Sequence, residues 1–169
     1  MKASHFSKDI QDFIRQLNQH HVRYLIVGGE AVIYHGYARL TGDVHFFFET
    51  TRKNALNMFE ALKEFWQGDV PGIEGFEVLM ESGVIFQFGI PPNRIDILTH
   101  VDGVTFKEAW RRRATTSMEI RGKQISVYFI GLDELIANKR AINRPKDQED
   151  LKYLEKAKEK FGRHSSAKR

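Results

Sequence analysis

The tightest constraint on the fold lies in Tyr24–Glu49, YLIVGGEAVIYHGYARLTGDVHFFFE. An apolar run of strand length, Arg23–Val27, stops at Gly28-Gly29 and passes directly into a short helix, Glu30–His35, which Gly36 closes. Val44–Phe48 (VHFFF) then reads as a second strand, entered through Thr41-Gly42-Asp43. Side chains alternate along a strand, so Asp43, His45 and Phe47 share one face while Val44, Phe46 and Phe48 share the other. An acid and an imidazole thus stand side by side on an otherwise apolar strand. Either they converge on one cation, or Asp43 caps a turn and His45 lies on a half-exposed face. The glycine pair is equally open: without Cβ atoms it admits a phosphate close to the backbone, or it merely shapes a tight turn.

The rest of the chain supplies more of both element types. Ile10, Phe13, Ile14 and Leu17 recur at helical spacing after Ser7, and Ala55, Phe59, Leu62 and Trp66 do so within Thr51–Trp66. Strands are expected at Phe76–Met80, Val84–Phe88 and Arg94–Leu98, the last two antiparallel neighbours across Pro91-Pro92-Asn93. Thr105–Arg112 reads as a short helix capped by Thr105. Thr116–Ile120 and Gln124–Ile130 flank a hairpin turn at Arg121-Gly122-Lys123, and helices at Leu132–Ile142 and Asp147–Phe161 finish the chain. Strands and helices mix without regular alternation. The expected class is therefore α+β: a mixed, twisted sheet with helices on one face and two C-terminal helices. Residues 1–163 form one domain, and 164–169 are expected to be a disordered basic tail.

Composition narrows the chemistry. The 169 residues include no cysteine, which removes disulfide scaffolds, thiol nucleophiles and Cys-ligated metal centres, and suits a reducing cytoplasm. No apolar stretch approaches the roughly 20 residues of a membrane span. The net charge of +4 hides a middle third (residues 40–110) at −6 and a final third (111–169) at +8. Residues 152–169 carry +5 of that excess. They read as solvated helix surface, or as sequence-indifferent contact to nucleic acid, without the aromatic interleaving of a binding module. The histidines show no zinc spacing, and no G-x-S-x-G elbow marks a serine hydrolase.

Asp96 is the second anomaly. It lies between Ile95 and Ile97 in an apolar strand, where an unpartnered carboxylate costs several kcal/mol to bury. Two arrangements answer that cost: Asp96 meets Asp43 and His45 on a shared face, or it pairs with Arg94, its same-face neighbour. Lys139, Arg140, Arg144 and Lys146 gather at the last helix junction, where they face phosphates or simply decorate helix ends. Asp147 and Asp150 read as caps and decoration of the last helix.

The order hydrophobic strand, Gly-Gly, short helix, T-x-D strand and later lone-Asp strand resembles the DNA polymerase beta-type nucleotidyltransferase superfamily. Within it, the closing run GLDELIANKRAINRPKDQEDLKYL resembles small prokaryotic minimal and AbiEii-type members, and the likeness covers about Tyr24–Leu154. The resemblance implies transfer of a nucleoside monophosphate from an NTP to a hydroxyl on RNA, protein or a small molecule. It implies Mg²⁺ or Mn²⁺ as cofactor, Gly28 and Gly29 cradling phosphates, and Asp43 and Asp96 as catalytic metal ligands. It also assigns Lys139 and Lys146 to the nucleotide and allows a cognate toxin–antitoxin partner. The departure is His45, which stands where the family pattern D-x-D has its second acid. Imidazole brings no negative charge and suits Mg²⁺ less than Mn²⁺, Zn²⁺ or Ni²⁺. Impaired transfer, or a nucleotide-binding relative without catalysis, is therefore a second expectation; a basic RNA-binding protein is a third.

Overall fold

The computed structural model describes residues 5–166, with side chains through residue 160. Each amphipathic pattern above finds an apolar partner. Helix α1 (Lys8–Gln19) starts at Ser7, whose hydroxyl accepts from the Ile10 N–H, and buries Ile10, Phe13, Ile14 and Leu17. Strand β1 (Tyr24–Val27) is buried throughout and runs directly into α2 (Gly28–Tyr34). Strand β2 (Asp43–Phe48) leads to α3 (Arg52–Phe65), capped by Thr51. Strands β3 (Ile85–Phe88) and β4 (Arg94–Leu98), α4 (Phe106–Arg111), the hairpin β5 (Ala114–Ile120) and β6 (Lys123–Phe129), and helices α5 (Leu132–Ile142) and α6 (Pro145–Ser166) complete the order.

The six strands form one mixed sheet in the order β3-β4-β2-β1-β6-β5. Pairing is antiparallel for β1 with β2, β3 with β4 and β5 with β6; it is parallel for β2 with β4 and β1 with β6. The α+β class, the antiparallel β3–β4 pair and the two C-terminal helices are as the sequence implies. The alternation along β2 sets the layers. Phe46 turns towards α1, where its ring lies 5.0 Å from Phe13, and Phe13 in turn meets Phe65 of α3 at 5.3 Å. Phe47, on the opposite face, packs against Phe106 of α4 at 5.1 Å. Thr105 caps α4 in a reciprocal box with Glu108.

One expected strand is absent. Phe76–Met80 is a 3-10 turn, not a strand, because Phe76 and Leu79 both turn inward and lie three residues apart, the spacing of a helical turn. That turn packs on α3, and the Arg52 guanidinium lies 4.7 Å from the Phe76 ring centre. At the C-terminus, Asn143 ends α5 in the left-handed region (φ 54°) and Pro145 opens α6. Helix α6 extends to Ser166; the remainder of the tail expected to be disordered, 167–169, lies outside the described residues. Among the described residues no helix is long and apolar enough to cross a membrane.

Candidate functional site

Parallel pairing of β2 with β4 places Asp43 opposite Arg94 and His45 opposite Asp96. Same-face positions on two adjacent strands therefore carry two acids, an imidazole and a guanidinium. Ligand atoms of Asp43, His45 and Asp96 all lie within 4.8 Å of one another. The His45 Nε2 stands 3.1 Å from Asp43 Oδ2 and 3.2 Å from Asp96 Oδ2. Thus the three residues singled out on the two strands do converge.

Arg94 converges with them. Its Nη2 donates to Asp43 Oδ2 and, at 3.1 Å, to Asp96 Oδ2, while its Nε lies 3.0 Å from Asp96 Oδ1. Both arrangements entertained for Asp96 therefore hold at once: it shares a face with Asp43 and His45, and it pairs with Arg94. Asp96 is only 3% exposed, so a charged partner answers the cost of its burial. Gln87 on β3, opposite Asp96 in register, adds a donor at 3.2 Å. No sequence signal marks Gln87; only the register of the β3–β4 pair brings it in. The Thr41 hydroxyl donates to Asp43 Oδ1 at 3.1 Å. Partial burial raises the pKa of Asp43, but the charge and hydrogen bond of His45, the Thr41 hydroxyl and Arg94 outweigh it, and the carboxyl is held below its ordinary value. The hydrogen bond to Asp96 and the two nearby carboxylates hold Arg94 still more firmly protonated than usual, against a smaller opposing effect of burial.

The glycine pair sits against this cluster. Gly28 adopts φ +66°, and a Cβ placed on it would approach His45 Nδ1 to 3.0 Å. On Gly29 a Cβ would come within 2.8 Å of the Thr41 hydroxyl and 3.0 Å of Arg39. The room left by the missing side chains is thus taken up by the site's own residues, which lets the β1–α2 turn lie directly on β2. Val27 precedes α2 without a side-chain cap, leaving the first-turn N–H groups of α2 to other partners.

Helices α5 and α6 close the same end of the sheet. A cavity of about 520 Å³ lies between them and the strands, lined by Gly28, Gly29, Asp43 and His45 on one side and Lys139, Arg144 and Lys146 on the other. Lys139 is not a free rim cation. It is 3% exposed, and its Nζ lies 2.7 Å from Asp147 and 2.8 Å from Asp150. Asp147 and Asp150 are correspondingly buried, so their reading as decoration of the last helix is corrected. Asp147 does also accept from the Arg144 N–H, as a cap would. Arg39 reaches Asp150 at 3.2 Å, tying the loop before Thr41 to α6. This ionic cluster was missed because a helical pattern shows which charges share a face but not whether another helix covers it. His100 and Asp102 pair at 3.2 Å on the cavity wall, apart from His45. Glu30, buried in the first turn of α2, is paired with His5 at 2.6 Å.

Two carboxylates and an imidazole can offer one divalent cation two oxygens and a nitrogen. Among the described residues no further acid joins this cluster, and Arg94 already contributes a positive charge to it. Comparison with known proteins fits this geometry. No curated protein matches the chain. A family model described as "Nucleotidyltransferase of unknown function (DUF6036)" matches residues 6–158, which span every strand of the sheet, the glycine turn and the Asp43–His45–Asp96 cluster; the chain belongs to that nucleotidyltransferase family.

Proposed function

We propose that the protein transfers a nucleoside monophosphate from an NTP to a hydroxyl group of an acceptor, using the cavity between the sheet and α5–α6. The observation that carries this reading is the meeting of the Gly28-Gly29 turn with Asp43, His45 and Asp96 at one end of the sheet, in a chain of nucleotidyltransferase family. Asp43, His45 and Asp96 are the residues that would hold a divalent cation, and their mixed oxygen and nitrogen donors favour Mn²⁺ over Mg²⁺. Such an ion supplies charge neutralisation at the phosphoryl oxygens.

The remaining roles fall to the chain itself. Backbone N–H groups of the Gly28-Gly29 turn face the triphosphate, and Lys146 and Arg144 on the cavity wall attract it. Lys139 acts on the nucleotide through its hold on Asp147, which also lines the cavity. In the transfer, the acceptor oxygen bonds to the α-phosphorus as the bond to the bridging oxygen breaks. Pyrophosphate leaves, and the hydroxyl proton passes to the Asp96 carboxylate. The acceptor is a hydroxyl on RNA, protein or a small molecule, and the likeness of the closing helices to AbiEii-type proteins supports a toxin–antitoxin partner.

A second reading rests on His45 and Arg94. With one acid of D-x-D replaced and the others neutralised by a guanidinium, the chain binds nucleotide but transfers it weakly or not at all. Incubation with α-³²P-labelled NTPs, total RNA, and Mg²⁺ or Mn²⁺ separates the two. Transfer is expected from wild type, with Mn²⁺ better than Mg²⁺, and is lost in Asp43→Asn. If wild type is inert and His45→Asp labels RNA, the second reading replaces the first. If calorimetry finds no NTP binding by either protein, both readings fail.

A further inference from the structure

Asp43 and Asp96 already share a cation, and the chain supplies it. Arg94 opens β4 directly opposite Asp43 and two residues before Asp96, so its side chain runs along the face where both carboxylates stand. Its guanidinium bonds both acids, and it reaches Asp43 Oδ2 and Asp96 Oδ2, the same two oxygens that flank His45 Nε2. A cation held by Asp43, His45 and Asp96 would need those oxygens. Lysine or histidine in this position could give up a proton and stay; arginine cannot, because its guanidinium remains charged throughout the usable pH range. The side chain is 30% exposed, so the guanidinium is not locked in by packing on every side.

From this we infer that Arg94 is a resident counter-ion of the Asp43–His45–Asp96 centre, which a divalent cation must displace in order to bind. Resting on the metal-dependent reading above, this makes Arg94 the residue that sets how strongly the centre takes a cation. While the site is empty of metal, the guanidinium keeps the buried Asp96 compensated. When a dication arrives, the two positive charges repel across a few ångströms and the guanidinium gives up its contacts with Asp43 and Asp96.

Mn²⁺ binding to the full-length protein, followed by calorimetry and by the electron paramagnetic resonance signal of free Mn²⁺, tests the inference. Arg94→Met is expected to bind Mn²⁺ at least about tenfold more tightly than wild type, since one repelling unit charge has been removed. A Kd unchanged or weakened in a variant that melts as wild type does overturns the inference. Should Arg94→Met not fold, wild type alone decides. In nitrogen-15 spectra, the Arg94 Nε–Hε signal must shift and lose protection in step with Zn²⁺ binding that Asp43→Asn abolishes. A signal that stays put while that site fills refutes displacement. Absence of any cation binding to wild type or variant refutes the metal-dependent reading itself, and the inference with it.

Discussion

Lys139→Met is the most informative single perturbation of the stability of this fold. The ammonium is 3% exposed and sits 2.7 and 2.8 Å from two carboxylates that are themselves almost completely buried. Methionine keeps the length and the packing but leaves Asp147 and Asp150 short of a positive charge. Removing one partner of a buried pair costs about 3–5 kcal/mol, because the remaining charge stays desolvated. Arg144 still reaches Asp147 at 2.8 Å and Arg39 still reaches Asp150 at 3.2 Å, which places the expected loss at the lower end. About 3 kcal/mol corresponds to a fall in Tm of roughly 6–12 °C for a chain of this size.

The pH dependence tells this cause apart from a packing defect. Burial pushes the Asp147 carboxyl up, but hydrogen bonds from Arg144 and Lys139 outweigh it and hold the pKa down at about 2, against 3.8 for the ordinary side chain. A depressed carboxyl pKa contributes stability that is fully present above the unfolded value and is lost as pH falls through the folded one. In Lys139→Met the folded pKa rises, so the carboxyl can neutralise itself at mild acidity. The deficit relative to wild type is therefore expected in full at pH 7 and should be smaller by pH 4. Urea unfolding followed by circular dichroism at both pH values measures it. A deficit under about 1 kcal/mol at pH 7, or one of equal size at both pH values, refutes the ionic account.

Three further changes probe the elements that support the site. Gly28→Ala forces a side chain into φ +66° with its Cβ 3.0 Å from His45 Nδ1; a loss of about 1–2 kcal/mol in urea is expected, with weaker NTP binding by calorimetry. Thr105→Ala removes both hydroxyl contacts of the α4 capping box and should cost about 1 kcal/mol without changing NTP affinity. Phe46→Ala deletes a fully buried ring between α1 and β2, and a loss of about 3–5 kcal/mol should appear as a lowered urea midpoint.

What could be read from the sequence, and what could not, follows from how far apart the interacting residues lie. Asp43 and His45 share a strand face by simple alternation, Thr105 caps the helix that follows it, and the β5–β6 hairpin turns on adjacent residues. Each of those inferences needs only local geometry. Asp96 is legible as an anomaly, a charge between two isoleucines, and Arg94 as its same-face neighbour, yet its meeting with Asp43 and His45 depends on which strand lies beside it. Parallel pairing of β2 with β4, with α3 and β3 intervening in sequence, decides that Arg94 faces Asp43 as well as Asp96. Similarly, Lys139 meets Asp147 and Asp150 only because α5 ends at Asn143 in the left-handed region and α6 folds back on it. Phe76–Met80 failed in the opposite direction: its apolar residues suit either a strand or a turn, and packing on α3 selects the turn. Charges inside apolar runs therefore mark where a site or a buried network must be, because burial without compensation is too costly. Alternation along β4 already sets Arg94 beside Asp96, and strand order extends that compensation by bringing the same guanidinium to Asp43 on β2.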